Sequence, residues 1–146
     1  MSQDGRIDLD TSLGYLLKEA ASALRAAMEA ELRPLGMTVT HYSCLELLAQ
    51  RPGLSNSDLA RGAFVTRQSM NVLLQALERD GLVSRAASAP VGKALPTELT
   101  AAGRAQLATA SAAIRGVEER MLSGLAAADR TAALRSLRSM VTSLRE

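Results

Sequence analysis

A chain of 146 residues with a net charge of +2, 47% apolar residues and only 2% aromatic ones is long enough for one domain with its own core. That core must be mostly Ala, Leu, Val and Met, which suits helices packed closely on helices. No apolar run approaches the roughly 20 residues that cross a bilayer. The opening "MSQDGRIDLD" reads as neither signal peptide nor anchor, and a single cysteine forms no internal disulfide, so a reducing cytoplasm is expected.

Asp10, Thr11 or Ser12 caps a first helix, along which Leu13, Leu16, Leu17, Ala20, Ala21, Leu24 and Met28 recur at helical spacing. "RPLGM" stops it, since Pro34 and Gly36 both break helices. Thr38 or Thr40 opens a second helix with Tyr42, Leu45 and Leu48 on one side, and "RPG" at 51–53 closes it. A third, short helix capped by Ser55 or Asn56 runs to about Arg61. Thr66 caps a fourth, whose inner stripe is Met70, Leu73, Leu74 and Leu77 and whose end at Gly81 suits the left-handed position.

Two strand candidates follow, "LVSRA" and "LPTEL", around the loop "ASAPVGKA"; they read as a hairpin, with Pro96 at a strand start or on an edge. Thr100 caps a long helix over about 101–123. A last helix begins near Asp129 with Leu134, Leu137, Met140, Val141 and Leu144, and covers Leu107, Ile114 and Leu122. The fold class is therefore mainly α with a small β-hairpin. A short helix, a tight turn, a helix and a hairpin make a winged helix-turn-helix, and the first and last helices are too long and apolar to stay exposed.

The fourth helix opens with Arg67, Gln68 and Asn71 on its exposed side. In a helix-turn-helix the second helix enters the major groove and its N-terminal residues touch base edges. Arginine pairs with guanine there, and glutamine or asparagine with adenine. Thr66 and Ser69 reach phosphates, helped by the positive helix N-terminus. With Ser55, Gln75 and Lys93 these residues form the candidate DNA-binding set.

The stretch "GLSNSDLARGAFVTRQSMNVLLQALERDGLVSR" closely resembles the DNA-binding core of the multiple-antibiotic-resistance regulator (MarR) family. So do "LGYLLKEAASALRAAMEAELRPLGMTVTHYSCLELL" before it and "LTAAGRAQL" after it. The resemblance spans nearly the whole chain. It implies one domain over 1–146, with a winged core at 36–100 and dimerisation helices at 8–35 and 101–146. It also implies a homodimer on a pseudo-palindromic operator of double-stranded DNA, and a repressor released by a small phenolic or aromatic carboxylate effector. The family's wing usually carries Asp-x-Arg and a small residue, where this chain has Val91-Gly92-Lys93-Ala94. Lys93 still supplies charge to the minor groove, but Val91 cannot brace the loop by an ion pair.

The same resemblance places a ligand cavity where the first two helices meet the core, near Tyr15, Lys18, His41, Tyr42 and Arg85. Arg85 is either a ligand group or a further backbone contact. The two tyrosines also fit a role as ordinary partly buried residues. Cys44 has no arginine or lysine beside it in sequence, so a structural thiol is the simpler reading than a redox switch. His41 is the only histidine, which excludes a multi-histidine metal site, and no catalytic set or cofactor motif is present. Two classes of function remain, a ligand-responsive DNA-binding repressor and a winged-helix module that binds protein. The polar turn of the fourth helix favours the repressor.

Overall fold

The computed structural model describes residues 5–85 and 97–146. Helix α1 (Leu13–Leu32) leads through a 3-10 turn (Arg33–Leu35) into α2 (Val39–Gln50), α3 (Asn56–Gly62) and α4 (Arg67–Arg79). Strands β1 (Val83–Arg85) and β2 (Thr97–Leu99) pair antiparallel, with Val83 opposite Leu99 and Arg85 opposite Thr97. Helices α5 (Ala101–Leu122) and α6 (Ala127–Arg145) complete the chain.

Local chemistry sets most boundaries. Ser12, Thr38, Ser55, Thr66 and Thr100 each stand in extended backbone just before a helix, and each side-chain oxygen accepts the amide hydrogen three residues on. Each bond satisfies one of the orphan donors of a first turn, a contribution of about 1 kcal/mol. Gly81 ends α4 at φ +77°, and the Leu82 amide donates back to the Leu77 carbonyl.

The last helix begins at Ala127, close to the expected start, and Asp129 occupies its first turn as a charge favourable to the helix dipole. Ala126 offers no side-chain cap. Arg130 instead turns back and donates to the carbonyls of Leu122 and Leu125, closing the end of α5.

The core lies where α2, α3, α4 and the hairpin meet. Leu32, Cys44, Leu45, Leu59, Met70, Leu74 and Leu77 are all but inaccessible there. Helix α5 belongs to this core through Leu107, Ala110 and Ile114. Leu107 and Ile114 are therefore covered by their own chain's core, which corrects the expected cover by the last helix for these two; Leu122 stays half-buried, and no residue of α6 is buried. Helix α6 keeps Leu134, Leu137 and Val141 exposed, as α1 does Leu13, Leu16 and Leu17.

One glycine fixes how α5 sits on the hairpin. A methyl at Gly103 would stand 2.1 Å from the Leu82 carbonyl oxygen, an oxygen already held by the Thr100 amide. The backbone, not a flexible side chain, is the obstacle. Gly103→Ala is expected to cost about 3 kcal/mol, the upper part of the range for overpacking. A urea midpoint equal to the parent's would contradict this seating of α5.

Candidate nucleic-acid interface and ligand cleft

Helix α4 has two opposed faces. Met70, Leu74 and Leu77 are fully buried against the core, and Arg67, Gln68, Ser69 and Gln75 are exposed. The turn that delivers α4 is tight: the Phe64 amide donates to the Arg61 carbonyl and the Val65 amide to the Ala60 carbonyl. Phe64 takes the left-handed region at φ +60°, a strain of roughly 1–2 kcal/mol for a residue with a Cβ, and its ring is 85% exposed. Helices α3 and α4 pack on one another, as a helix-turn-helix requires.

The candidate DNA-facing residues divide into distinct roles. The Thr66 hydroxyl accepts the Ser69 amide at 3.0 Å and donates to the Ser69 hydroxyl at 2.9 Å, so Ser69 keeps a hydrogen to donate outward. Ser55 caps α3 and is half-buried. Asn71 is not a bare reader: its carboxamide oxygen accepts from Asn56 Nδ2 at 2.8 Å, in a partly buried contact that braces α3 against α4. Only the Asn71 amide nitrogen is left to donate to a base. Lys93, with Val91 and Gly92, lies outside the described residues.

The candidate ligand residues do not form one group. Tyr15 and Lys18 stand exposed on α1. Tyr42 joins a polar network between α2 and α5, where the Glu46 carboxylate accepts from Ser111 at 2.8 Å and is also bonded by Gln50 and Tyr42. Burial and the bond to Glu46 push the Tyr42 phenol up to about 12. Burial works against the Glu46 carboxylate, yet the donors Tyr42, Gln50 and Ser111 together hold it below its usual range. Tyr42 and Glu46 also line a cavity of about 210 Å³ with Ser43, Leu47, Gln50, Arg51 and Gly62.

His41 and Arg85 belong elsewhere. Arg85 approaches Cys44 closely enough to act on it electrostatically, and His41 precedes Cys44 by one turn of α2. The Arg85 Nε and Nη2 and the His41 Nε2 are buried with no hydrogen-bond partner among the described residues. Burial lowers the His41 pKa, against the opposing pull of Asp80, so the ring stays neutral near pH 7. Arg85, itself half-buried, thus turns its Nε and Nη2 inward toward Cys44.

Sequence neighbours gave Cys44 no cation, whereas the fold brings one. The thiol is nevertheless pushed up to about 12, because burial outweighs the Arg85 guanidinium. A neutral, buried thiol is a poor nucleophile and a poor oxidation target, so a redox switch at Cys44 gains no support.

Two further residues have roles that sequence reading did not assign. Asn56, a cap candidate in the sequence, instead donates to Asn71, fifteen positions away. Val72 was legible, since helical spacing sets it on the outer row of α4; it is 62% exposed.

The profile described as MarR family matches residues 35–94. The HTH-type transcriptional repressor Rv2887 of Mycobacterium tuberculosis (strain ATCC 25618 / H37Rv) is 47% identical over 118 residues, covering 81% of this chain and 85% of that protein. A crystal structure of the M. tuberculosis MarR family protein Rv2887 in complex with salicylic acid superposes with a TM-score of 0.74 at 44% identity, over 90% of this chain and 97% of that one. The same protein in complex with DNA gives 0.72 at 40% identity, over 90% and 98%. A winged helix-turn-helix of this geometry, matched in sequence across most of both chains, leaves one assignment: the protein belongs to the MarR family of transcriptional regulators.

Proposed function

We propose that this protein is a homodimeric transcriptional repressor that grips duplex DNA through α4 and releases it when a small aromatic carboxylate binds beside Arg85. The observation that carries the reading is the division of α4, with an anchored inner face and Arg67, Gln68 and Gln75 presented outward. Arginine offers a bidentate fork to guanine, and glutamine offers one to adenine. Ser55, Thr66 and Ser69 stand at helix starts, where backbone amides and hydroxyls suit phosphates. Lys93 adds a flexible point charge without the rigid fork of an arginine.

Dimerisation accounts for the bare apolar side chains of α1 and α6, which one chain leaves uncovered. On this reading residues 36–100 carry DNA recognition, and α1 and α6 join the two copies. Paired α4 helices then meet a pseudo-palindromic operator in two half-sites. The related repressor has been crystallised with DNA and with salicylic acid, which supports both halves of the proposal. No helix among the described residues is long and apolar enough to cross a membrane, and the regulator acts in the cytoplasm.

The carboxylate site rests on Arg85. Two buried guanidinium donors, unmatched among the described residues, are costly unless an acceptor arrives, and a carboxylate supplies two. The effector acts by its differential affinity for the DNA-bound and released forms.

The test is titration of the purified protein with duplexes enriched from genomic fragments, beside sedimentation of the protein alone. A dimer is expected, with affinity falling in added salt at a log–log slope of about −0.9 for each phosphate neutralised. A folded protein that captures no duplex even at low salt would reject the reading and leave a winged-helix module that binds protein.

A further inference from the structure

We propose that Val72 reads the 5-methyl group of a thymine in the major groove, which makes it a specificity-determining residue of α4. The inference rests on the DNA-binding reading above and goes beyond it in naming a base and an atom.

Val72 is 62% exposed, although every other apolar residue of α4 longer than alanine is buried or half-buried. It stands one turn after Gln68 and three residues before Gln75, so the three share one outward row. Helix α4 packs against α3 and β1, and neither covers this side chain. A β-branched residue on an exposed helix face loses rotamer freedom without burying anything. Within the protein, then, Val72 contributes less than alanine would.

DNA supplies the missing contact. Thymine alone among the four bases carries a methyl group in the major groove, and an apolar side chain is what that methyl fits. The groups flanking Val72 point to the same base pair, because a glutamine carboxamide pairs with the N6 and N7 of adenine. The row of amide, isopropyl and amide therefore matches a short A·T-containing step, with adenine read by Gln68 or Gln75 and the thymine methyl packed on Val72. No proton or charge moves, and the recognition is dispersion plus removal of two apolar surfaces from water.

The test uses the duplex that the purified parent protein enriches from genomic fragments. Each thymine of a half-site is replaced in turn by deoxyuridine, which deletes only the 5-methyl. One replacement is expected to weaken binding about fourfold, the equivalent of one buried methyl, and changing both half-sites about fifteenfold. Val72→Ala should bind the unmodified duplex as the parent binds the substituted one, and should lose its sensitivity at that position alone. Val72→Thr, which keeps one methyl and the β-branch, should lie between them. Because the side chain is exposed, neither variant should melt appreciably below the parent, and Val72→Ala should melt at or slightly above it. The proposal is overturned if no deoxyuridine costs more than twofold, or if Val72→Ala stays as sensitive as the parent. Failure of the parent to bind any duplex would remove the DNA-binding reading as well, so the two failures are distinguishable.

Discussion

Replacing Arg67 with alanine is expected to weaken operator binding by about 1–3 kcal/mol for each base it contacts and to relax sequence preference at that position. In a dimer the substitution falls in both half-sites, so the combined loss reaches several orders of magnitude at the upper end. The experiment is clean for a structural reason. Arg67 is the first residue of α4, exposed, with no ion-pair partner among the described residues, and alanine is the better helix former. Stability should stay within about 0.5 kcal/mol of the parent, as for an ordinary surface change. Arg67→Lys separates charge from shape: it should retain affinity for unrelated DNA and lose discrimination, since an ammonium lacks the planar fork. Equal affinity and equal preferred sequence for parent and Arg67→Ala would show that Arg67 reads no base.

Arg85→Met should raise the salicylate concentration needed for release while leaving DNA binding intact. A carboxylate bonded to a buried guanidinium gains roughly 1.5–3 kcal/mol from charge-assisted hydrogen bonds, so removing the guanidinium should weaken the effector by about 10- to 150-fold. The effect on the unliganded protein has the opposite sign to most core substitutions. Arg85 buries Nε and Nη2 without partners among the described residues, and methionine removes that penalty while filling much of the volume. The variant is therefore expected to be at least as stable as the parent without ligand. With added salicylate the difference shrinks or reverses, because the parent, with the lower Kd, gains more from RT ln(1 + [L]/Kd). Thermal melts of both proteins across a salicylate series check this. A variant that releases DNA at the parent's salicylate concentration would mean that the effector's carboxylate is held elsewhere.

What was legible in the sequence follows from the range of the forces involved. The caps at Ser12, Thr38, Ser55, Thr66 and Thr100 join residues three apart, and Gly81 acts through its own φ, so these positions could be read without the fold. The two-faced pattern of α4 is equally local, and with it the exposure of Arg67, Gln68 and Gln75. Tertiary structure decided which polar residues were already occupied. Asn71 looked identical to its neighbours until Asn56 was found across the turn, and Tyr42 parted from His41 because successive helix positions face different partners, Glu46 and Ser111 for the one and Asp80 for the other. Arg85 came to Cys44 only through the hairpin, and Gly103 proved obligatory only because a carbonyl from β1's approach lies against α5. The chain's periodicity says which way a side chain points; only the packed elements say what it meets there, and that difference separates a solvated polar group from a buried one.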